Sequence, residues 1–276
     1  MKNFITRVIS GAVYVGLIFC AIYFFDTIPA IFLAFFGLVT LIGLSEISRM
    51  TGDEQPKVVK YIDMAGALAV FSAFYIDEAL DHSPLALLPV VAYALVRMSA
   101  QLYITSQNPI KSLQHSLFNV CYIAVPLGLM SKICITEHPM MLLSIFIFLW
   151  FNDSGAYLVG SAIGKRRLFE RISPKKSWEG FWGGLTLAVA AGAVMGAYFN
   201  EFFHGPSPLL FAGLGLVVSV TATLGDLTES IIKRTAGVKD SSNLIPGHGG
   251  ILDRIDSLLF AAPAALIYLV VIKNLF

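Results

Sequence analysis

The chain alternates apolar runs with short polar segments, and that alternation constrains its fold more than any other property. Apolar windows cover residues 8–25, 28–44, 62–76, 85–96, 117–135, 139–151, 178–199, 208–224 and 257–276. A bilayer core about 30 Å thick takes about 20 apolar residues as helix, since only a helix or a closed barrel satisfies the backbone N–H and C=O groups away from water. Some windows, notably 85–96 and 139–151, are shorter than that. Even so, with 57% hydrophobic and 13% charged residues, against a charged share near ~25% in soluble domains, an ordinary soluble domain is excluded. The expectation is an all-α, polytopic integral membrane helix bundle of about nine transmembrane helices.

The first window follows MKNFITR. It has membrane-spanning length, no small-residue cleavage site follows it, and a second window begins almost at once, so it reads as a retained span rather than a signal peptide. If the N-terminus is cytoplasmic, nine spans place every Lys and Arg of the 19 except Lys132 and Lys273 on the inside. Asp26, Asp77, Glu78, Asp81, Glu137 and Glu201 then fall outside. That split follows the positive-inside rule and turns the charged blocks of the last third toward the cytoplasm, where nucleotides are. Cys20, Cys121 and Cys134 lie in apolar runs without CxxC spacing, so neither a disulfide framework nor a zinc site is indicated. Asp63, Ser72 and Asn119 in the early windows read as helix-end or interhelical polar groups and are assigned no role. The expected organisation is a scaffold and lipid-access part at 1–150 and a catalytic part at 151–276.

Residues 225–257, GDLTESIIKRTAGVKDSSNLIPGHGGILDRIDS, crowd polarity between two long apolar runs. Charge beside a bilayer persists where it faces water, pairs, or binds a charged ligand. On a helix beginning near Gly225, Asp226, Ser230 and Lys233 share one face. The second half is a glycine-rich turn running into a segment where helical geometry puts Asp253 and Asp256 on one side. Carboxylates for a hard cation, nearby Lys and Arg, and glycines that admit backbone approach suit a magnesium-bound polyphosphate. Blander readings stand beside this one. Lys233 and Arg234 are explained equally well as an interfacial basic pair, His248 as a turn residue, and Asp253 and Asp256 as partners of Arg254 and Lys239.

Upstream, the segment 152–177 ends in a basic run containing Lys165, Arg166, Arg167, Arg171, Lys175 and Lys176. Either it is a juxtamembrane stop drawn to anionic lipid heads, or it receives a triphosphate or lipid phosphate. Gly160, Gly164 and Lys165 do not make a phosphate loop: the glycines are too close, and Arg166 stands where Ser or Thr belongs. In the next window Gly180, Gly184, Gly192 and Gly196 have the spacing of close helix packing, within the subunit or in a dimer. Glu179 at its start is either solvated or functional.

Ser230, Ile232, Lys233, Arg234, Lys239, Asp240, Ser242, Ile245, Pro246, His248, Gly249, Gly250, Ile251, Asp253, Arg254, Ile255 and Asp256 together resemble the complete signature of phosphatidate cytidylyltransferases, also called CDP-diacylglycerol synthases. NDSGAYLVGSAIGK at 152–165 and ISPKKSWEGFWGG at 172–184 are similar to two further blocks of that family, with Ser177 where Thr is commoner. Before residue 150 the resemblance is little more than shared hydropathy.

The resemblance implies cytidylyl transfer from CTP to phosphatidate, giving CDP-diacylglycerol and pyrophosphate. Taken with the reading of the charged stretch, it gives a catalytic group of Asp226, Ser230, Lys233, Asp253 and Asp256, with Asp226, Asp253 and Asp256 expected to hold Mg2+ and a second metal ion as a variant. Substrate contacts fall to Asp153, Lys176, Ser177, Arg234, Lys239, His248, Gly249, Gly250 and Arg254. The expected partners are CTP, phosphatidate and membrane lipids, with no nucleic acid, in a homodimer of a bacterial inner membrane whose active site faces the cytoplasm. A CTP-dependent polyprenol kinase would share the metal chemistry but not the full signature. A multi-pass transporter would disperse polarity over several spans and show internal repeats, and neither is present.

Overall fold

A computed structural model describes residues 2–51, 56–79, 88–105, 108–204, 207–245, 247 and 249–275. In chain order the elements are α1 (Lys2–Tyr23), α2 (Pro29–Thr51), α3 (Lys57–Ala79), α4 (Leu88–Gln101), α5 (Pro109–Thr136), α6 (Pro139–Ile163), β1 (Arg167–Phe169), β2 (Ser173–Ser177), α7 (Trp178–Tyr198), α8 (Asn200–Phe203), α9 (Pro208–Thr235) and α10 (Leu252–Leu275). Among the described residues seven helices, α2, α3, α5, α6, α7, α9 and α10, are long and apolar enough to cross a membrane. The protein is an all-α polytopic membrane protein. Helices α2, α5, α6 and α9 open on proline, whose fixed φ suits the first turn and whose missing N–H would be orphaned there anyway.

Each of the nine apolar windows holds a helix, but one of these helices falls short of a span by length. Helix α4 has 14 residues, about 21 Å at 1.5 Å per residue. Helix α1 has 22 residues, and Val8–Tyr23 within it is apolar. The windows also end too early. Helix α6 continues through Asn152 and Asp153 to Ile163, and α9, expected to begin near Gly225, begins at Pro208 and passes through Gly225 unbroken. Hydropathy falls where charges start, whereas the i→i−4 ladder stops only where the backbone does. Gly225 serves packing instead: a Cβ there would lie 2.6 Å from Asp256 O.

The chain forms two compact units, Met1–Thr136 with Asp240–Arg254, and Glu137–Lys239 with Ile255–Phe276. In the first, α2, α3 and α5 pack on one another and α4 packs on α3. Phe25, Phe32 and Phe36 form an aromatic run with centroids 5.0 and 4.6 Å apart. Arg97, expected in an inside loop, is instead fully buried in α4. Its Nε donates to Ser116 Oγ at 2.9 Å, Nη1 to Gln101 Oε1 at 3.0 Å and Nη2 to Ser112 Oγ at 2.8 Å. Asp63 lies 3.4 Å from Arg97 Nε and accepts from Ser116 and Tyr93. A charge survives burial only with such a complete set of partners. Asn119 likewise bonds Thr51 and Ser48 between helices, while Ser72 bonds its own helix.

In the second unit α7 packs between α6 and α9, and its glycines make that possible. A Cβ on Gly184 would lie 2.6 Å from Asn152 O of α6, and one on Gly192 2.6 Å from Phe211 O of α9. The small-residue spacing is thus used inside the subunit. Glycine facing glycine, Gly155 of α6 against Gly183 and Gly184 of α7, brings the two backbones into contact.

Candidate active site

Helices α6, α7 and α9 and the β-hairpin of the second unit line a cavity of about 470 Å³, a size that small ligands fill. Asp153 of α6, Lys175 and Lys176 of β2, Ser177 and Asp226 of α9 form its polar wall, and Tyr157, Leu168 and Phe181 contribute apolar surface. The hairpin reaches the cavity because it is tied at its base. Glu179, in the first turn of α7, accepts the backbone N–H groups of Lys165 at 3.1 Å and Arg166 at 3.2 Å. Trp178 N donates to Arg166 O at 2.9 Å. Ser177 caps α7 by accepting Gly180 N at 3.1 Å, and a buried hydroxyl in this role keeps the start of the helix at the cavity wall.

Across the cavity Lys176 Nζ lies 2.5 Å from Asp226 Oδ2. Asp226 Oδ1 accepts Ser230 Oγ at 3.3 Å, and Lys233, further along α9, is ion-paired with the fully buried Glu229. Asp256, half-buried in the first turns of α10, is within electrostatic reach of Asp226, Asp153 and Lys233. Neighbouring Asn152 is fixed by Ser219 Oγ, which donates to its Oδ1 at 2.6 Å. Arg234 is exposed, and its guanidinium donates to Ile172 O in the hairpin turn at 3.4 Å and to Val238 O at 3.3 Å.

The glycine-rich half of the charged stretch belongs to the first unit. Ile245 N donates to Gly249 O at 2.8 Å, and Gly249 has φ of 82°, a left-handed conformation that a side chain would strain. Asp253 Oδ2 accepts Gly250 N at 2.8 Å and Ser241 N at 2.9 Å, closing the loop on the start of α10. Gly250 is packed so tightly that a Cβ would lie 2.0 Å from Ser241 Oγ and 2.6 Å from Glu46 Oε2. Lys239 and Arg254 are exposed. Pro246 and His248 lie outside the described residues.

The structure therefore gathers Asp153, Lys176, Ser177 and Asp226 around one cavity, and gives Gly249, Gly250 and Asp253 a loop-building geometry. Sequence reading weighed Lys175 only as part of the basic run and assigned no role to Glu229 or Glu46. Glu46 had a signal, a carboxylate at the end of an apolar window, which is costly unless it is partnered. Glu229 lies within the charged stretch, where neighbouring charges masked it.

Asp226 lines the cavity and Asp256 lies within electrostatic reach of it, and carboxylate oxygens are the donors a hard divalent ion takes. Asp226 and Asp256 offer carboxylate oxygens with a third acid, Asp153, nearby. Among the described residues no three His, Cys, Asp or Glu side chains converge to enclose a metal.

The cytidylyltransferase family model matches residues 5–272. The chain is 34% identical to the phosphatidate cytidylyltransferase of Haemophilus influenzae over 93% of this chain and 95% of that protein. It is 35% identical to that of Pseudomonas aeruginosa over 89% of this chain and 90% of that protein. With the Bacillus subtilis enzyme of the same name it shares 48% identity over 42% of each chain. A match that runs from the first helix to the last, and that takes in the residues around the cavity and the loop before α10, places this chain in the cytidylyltransferase family.

Proposed function

We propose that the protein transfers the cytidylyl group of CTP to phosphatidate, giving CDP-diacylglycerol and pyrophosphate. The observation that carries this reading is the cavity where Lys176 and Asp226 meet beside the start of α7, in a chain of the cytidylyltransferase family. Two anions must come together in this reaction, and negative charge grows on the leaving group. Lys175, Lys176 and the N-terminus of α7 supply positive potential for phosphate oxygens. Lys233, Arg234, Lys239 and Arg254 add cationic contacts, and Asp153, Ser177, Ser230, His248, Gly249 and Gly250 complete the substrate-contacting set. An oxygen of the phosphatidate phosphate bonds to the α-phosphorus while the bond from that phosphorus to the bridging oxygen breaks, and pyrophosphate leaves with the electron pair. The attacking phosphate is already ionised at neutral pH, so no side chain has to remove a proton. Asp226 and Asp256 would hold Mg2+, with Asp253, three residues before Asp256 on the same helix, as a further ligand; the ion would neutralise phosphate charge.

The concentration of Lys and Arg in the segments after α6 and α9 supports an active site on the cytoplasmic side of a bacterial inner membrane. The expected homodimer draws no support from the α7 glycines, which are used inside the subunit.

The test is conversion of labelled CTP to CDP-diacylglycerol by the detergent-purified protein with phosphatidate and Mg2+, beside Lys176→Ala and Asp226→Ala. Product from the wild type, sharply reduced in both variants, supports the reading. A folded wild type that yields no CDP-lipid overturns it. CTP supplied to inverted rather than right-side-out vesicles reports the side.

A further inference from the structure

Glu46 lies near the end of α2, far in sequence from the charged stretch, and is only 2% exposed. Its two oxygens serve both ends of the loop that precedes α10. Oε1 accepts Ser242 Oγ at 2.6 Å and Ile251 N at 3.1 Å. Oε2 accepts Ser241 Oγ at 2.9 Å and Leu252 N at 2.8 Å. Two of these four donors are the backbone N–H groups at the start of α10, where the helix dipole favours a negative charge. Ser241 Oγ also lies 3.0 Å from Asp253 Oδ2, so Glu46 and Asp253 bind the same serine. The absence of a side chain on Gly250 is what lets the Glu46 carboxylate come this close.

We propose that Glu46 is a positioning residue: from α2 it clamps Ser241, Ser242, Ile251 and Leu252 and so fixes the orientation of Asp253 and Arg254, which the function proposed above assigns to metal and substrate. The inference rests on the function proposed above. A buried carboxylate with four donors satisfies groups that the loop cannot satisfy for itself, and the loop leads directly into the residues assigned to metal and phosphate. Glutamine has the same shape but cannot replace it. Whichever way its amide is turned, the NH2 group faces either Ile251 N–H or Leu252 N–H, and a backbone donor cannot rotate to become an acceptor. Aspartate keeps the charge but is one methylene short.

The test compares Glu46→Gln and Glu46→Asp with Ser116→Ala, which weakens the buried Asp63–Arg97 network of the same unit without touching the loop. kcat, KM for CTP, KM for phosphatidate and thermal stability are measured for each. Glu46→Gln is expected to lower kcat/KM for CTP by about tenfold or more, with KM for phosphatidate little changed and with Glu46→Asp less impaired. Ser116→Ala is expected to lose stability while keeping wild-type kinetics. Wild-type kinetics for Glu46→Gln, or the same kinetic loss in Ser116→Ala at a matched loss of stability, would overturn the proposal. Amide exchange at Ile251 and Leu252 separates this idea from the function on which it rests. Protection lost in Glu46→Gln, together with a folded wild type that makes no CDP-lipid, would sustain the clamp and sink the reaction; protection unchanged in Glu46→Gln would sink the clamp itself.

Discussion

Lys176 Nζ stands 2.5 Å from Asp226 Oδ2, joining strand β2 to the middle of α9 across the cavity. Both side chains are partly exposed, at 27% and 34%. An exposed pair of this kind contributes about 0–1 kcal/mol to stability. Its place in the cavity gives it a different weight for substrate.

Lys176→Met should therefore leave thermal stability within about 1 kcal/mol of wild type while lowering kcat/KM by about 10- to 100-fold, through lost phosphate stabilisation. Lys176→Arg, which keeps the charge, should recover part of the loss. Melting curves and steady-state kinetics on the same detergent preparations check both halves.

The α6–α7 contact predicts a sharp contrast between glycines. Gly184→Ala forces a Cβ to within 2.6 Å of a backbone oxygen of α6 and should destabilise the protein by about 1–3 kcal/mol. Gly16→Ala meets nothing within 4 Å and should be neutral or slightly stabilising by helix propensity, at most about 1 kcal/mol. Thermal unfolding in detergent distinguishes them, and equal effects would count against the close crossing.

At the buried Asp63–Arg97 pair, removing one partner strands the other. Arg97→Met is expected to cost about 3–5 kcal/mol, and the double change Asp63→Leu with Arg97→Met to cost less than Arg97→Met alone. A double-mutant cycle on unfolding free energy measures this, and additive losses would show that the two charges are not coupled.

Chelation should abolish cytidylyl transfer, and added Mg2+ should restore it without any change of fold. Asp226→Asn and Asp256→Asn should each raise the Mg2+ concentration needed for half-maximal rate, because each removes one carboxylate from the proposed seat. Activity that persists in EDTA would refute the metal assignment.

The resemblance singled out Asp153, Lys176 and Ser177, helical spacing in the charged stretch singled out Asp226, and the structure brings all four to one cavity. The sharing of one face by Asp226, Ser230 and Lys233 was legible because a helix repeats every 3.6 residues. The start of their helix was not. Hydropathy locates apolar surface rather than the backbone ladder, and α9 is continuous from Pro208 to Thr235. Arg97 was misplaced for a related reason: a cation inside a bundle and a cation in a loop look alike until Asp63, Ser112 and Ser116 are seen around it.

By itself, the sequence determined that this is a helical membrane protein with one dense polar stretch before its last helix. Apolar length and local charge density are properties of consecutive residues, and the bilayer leaves few folds that can satisfy them. Only the tertiary structure decided that Lys176 meets Asp226, that the α7 glycines are used against α6 and α9, and that Glu46 of α2 holds the loop before α10. Each of those facts depends on which helix faces which, and that is fixed by close packing between elements far apart in the chain, which no local pattern records.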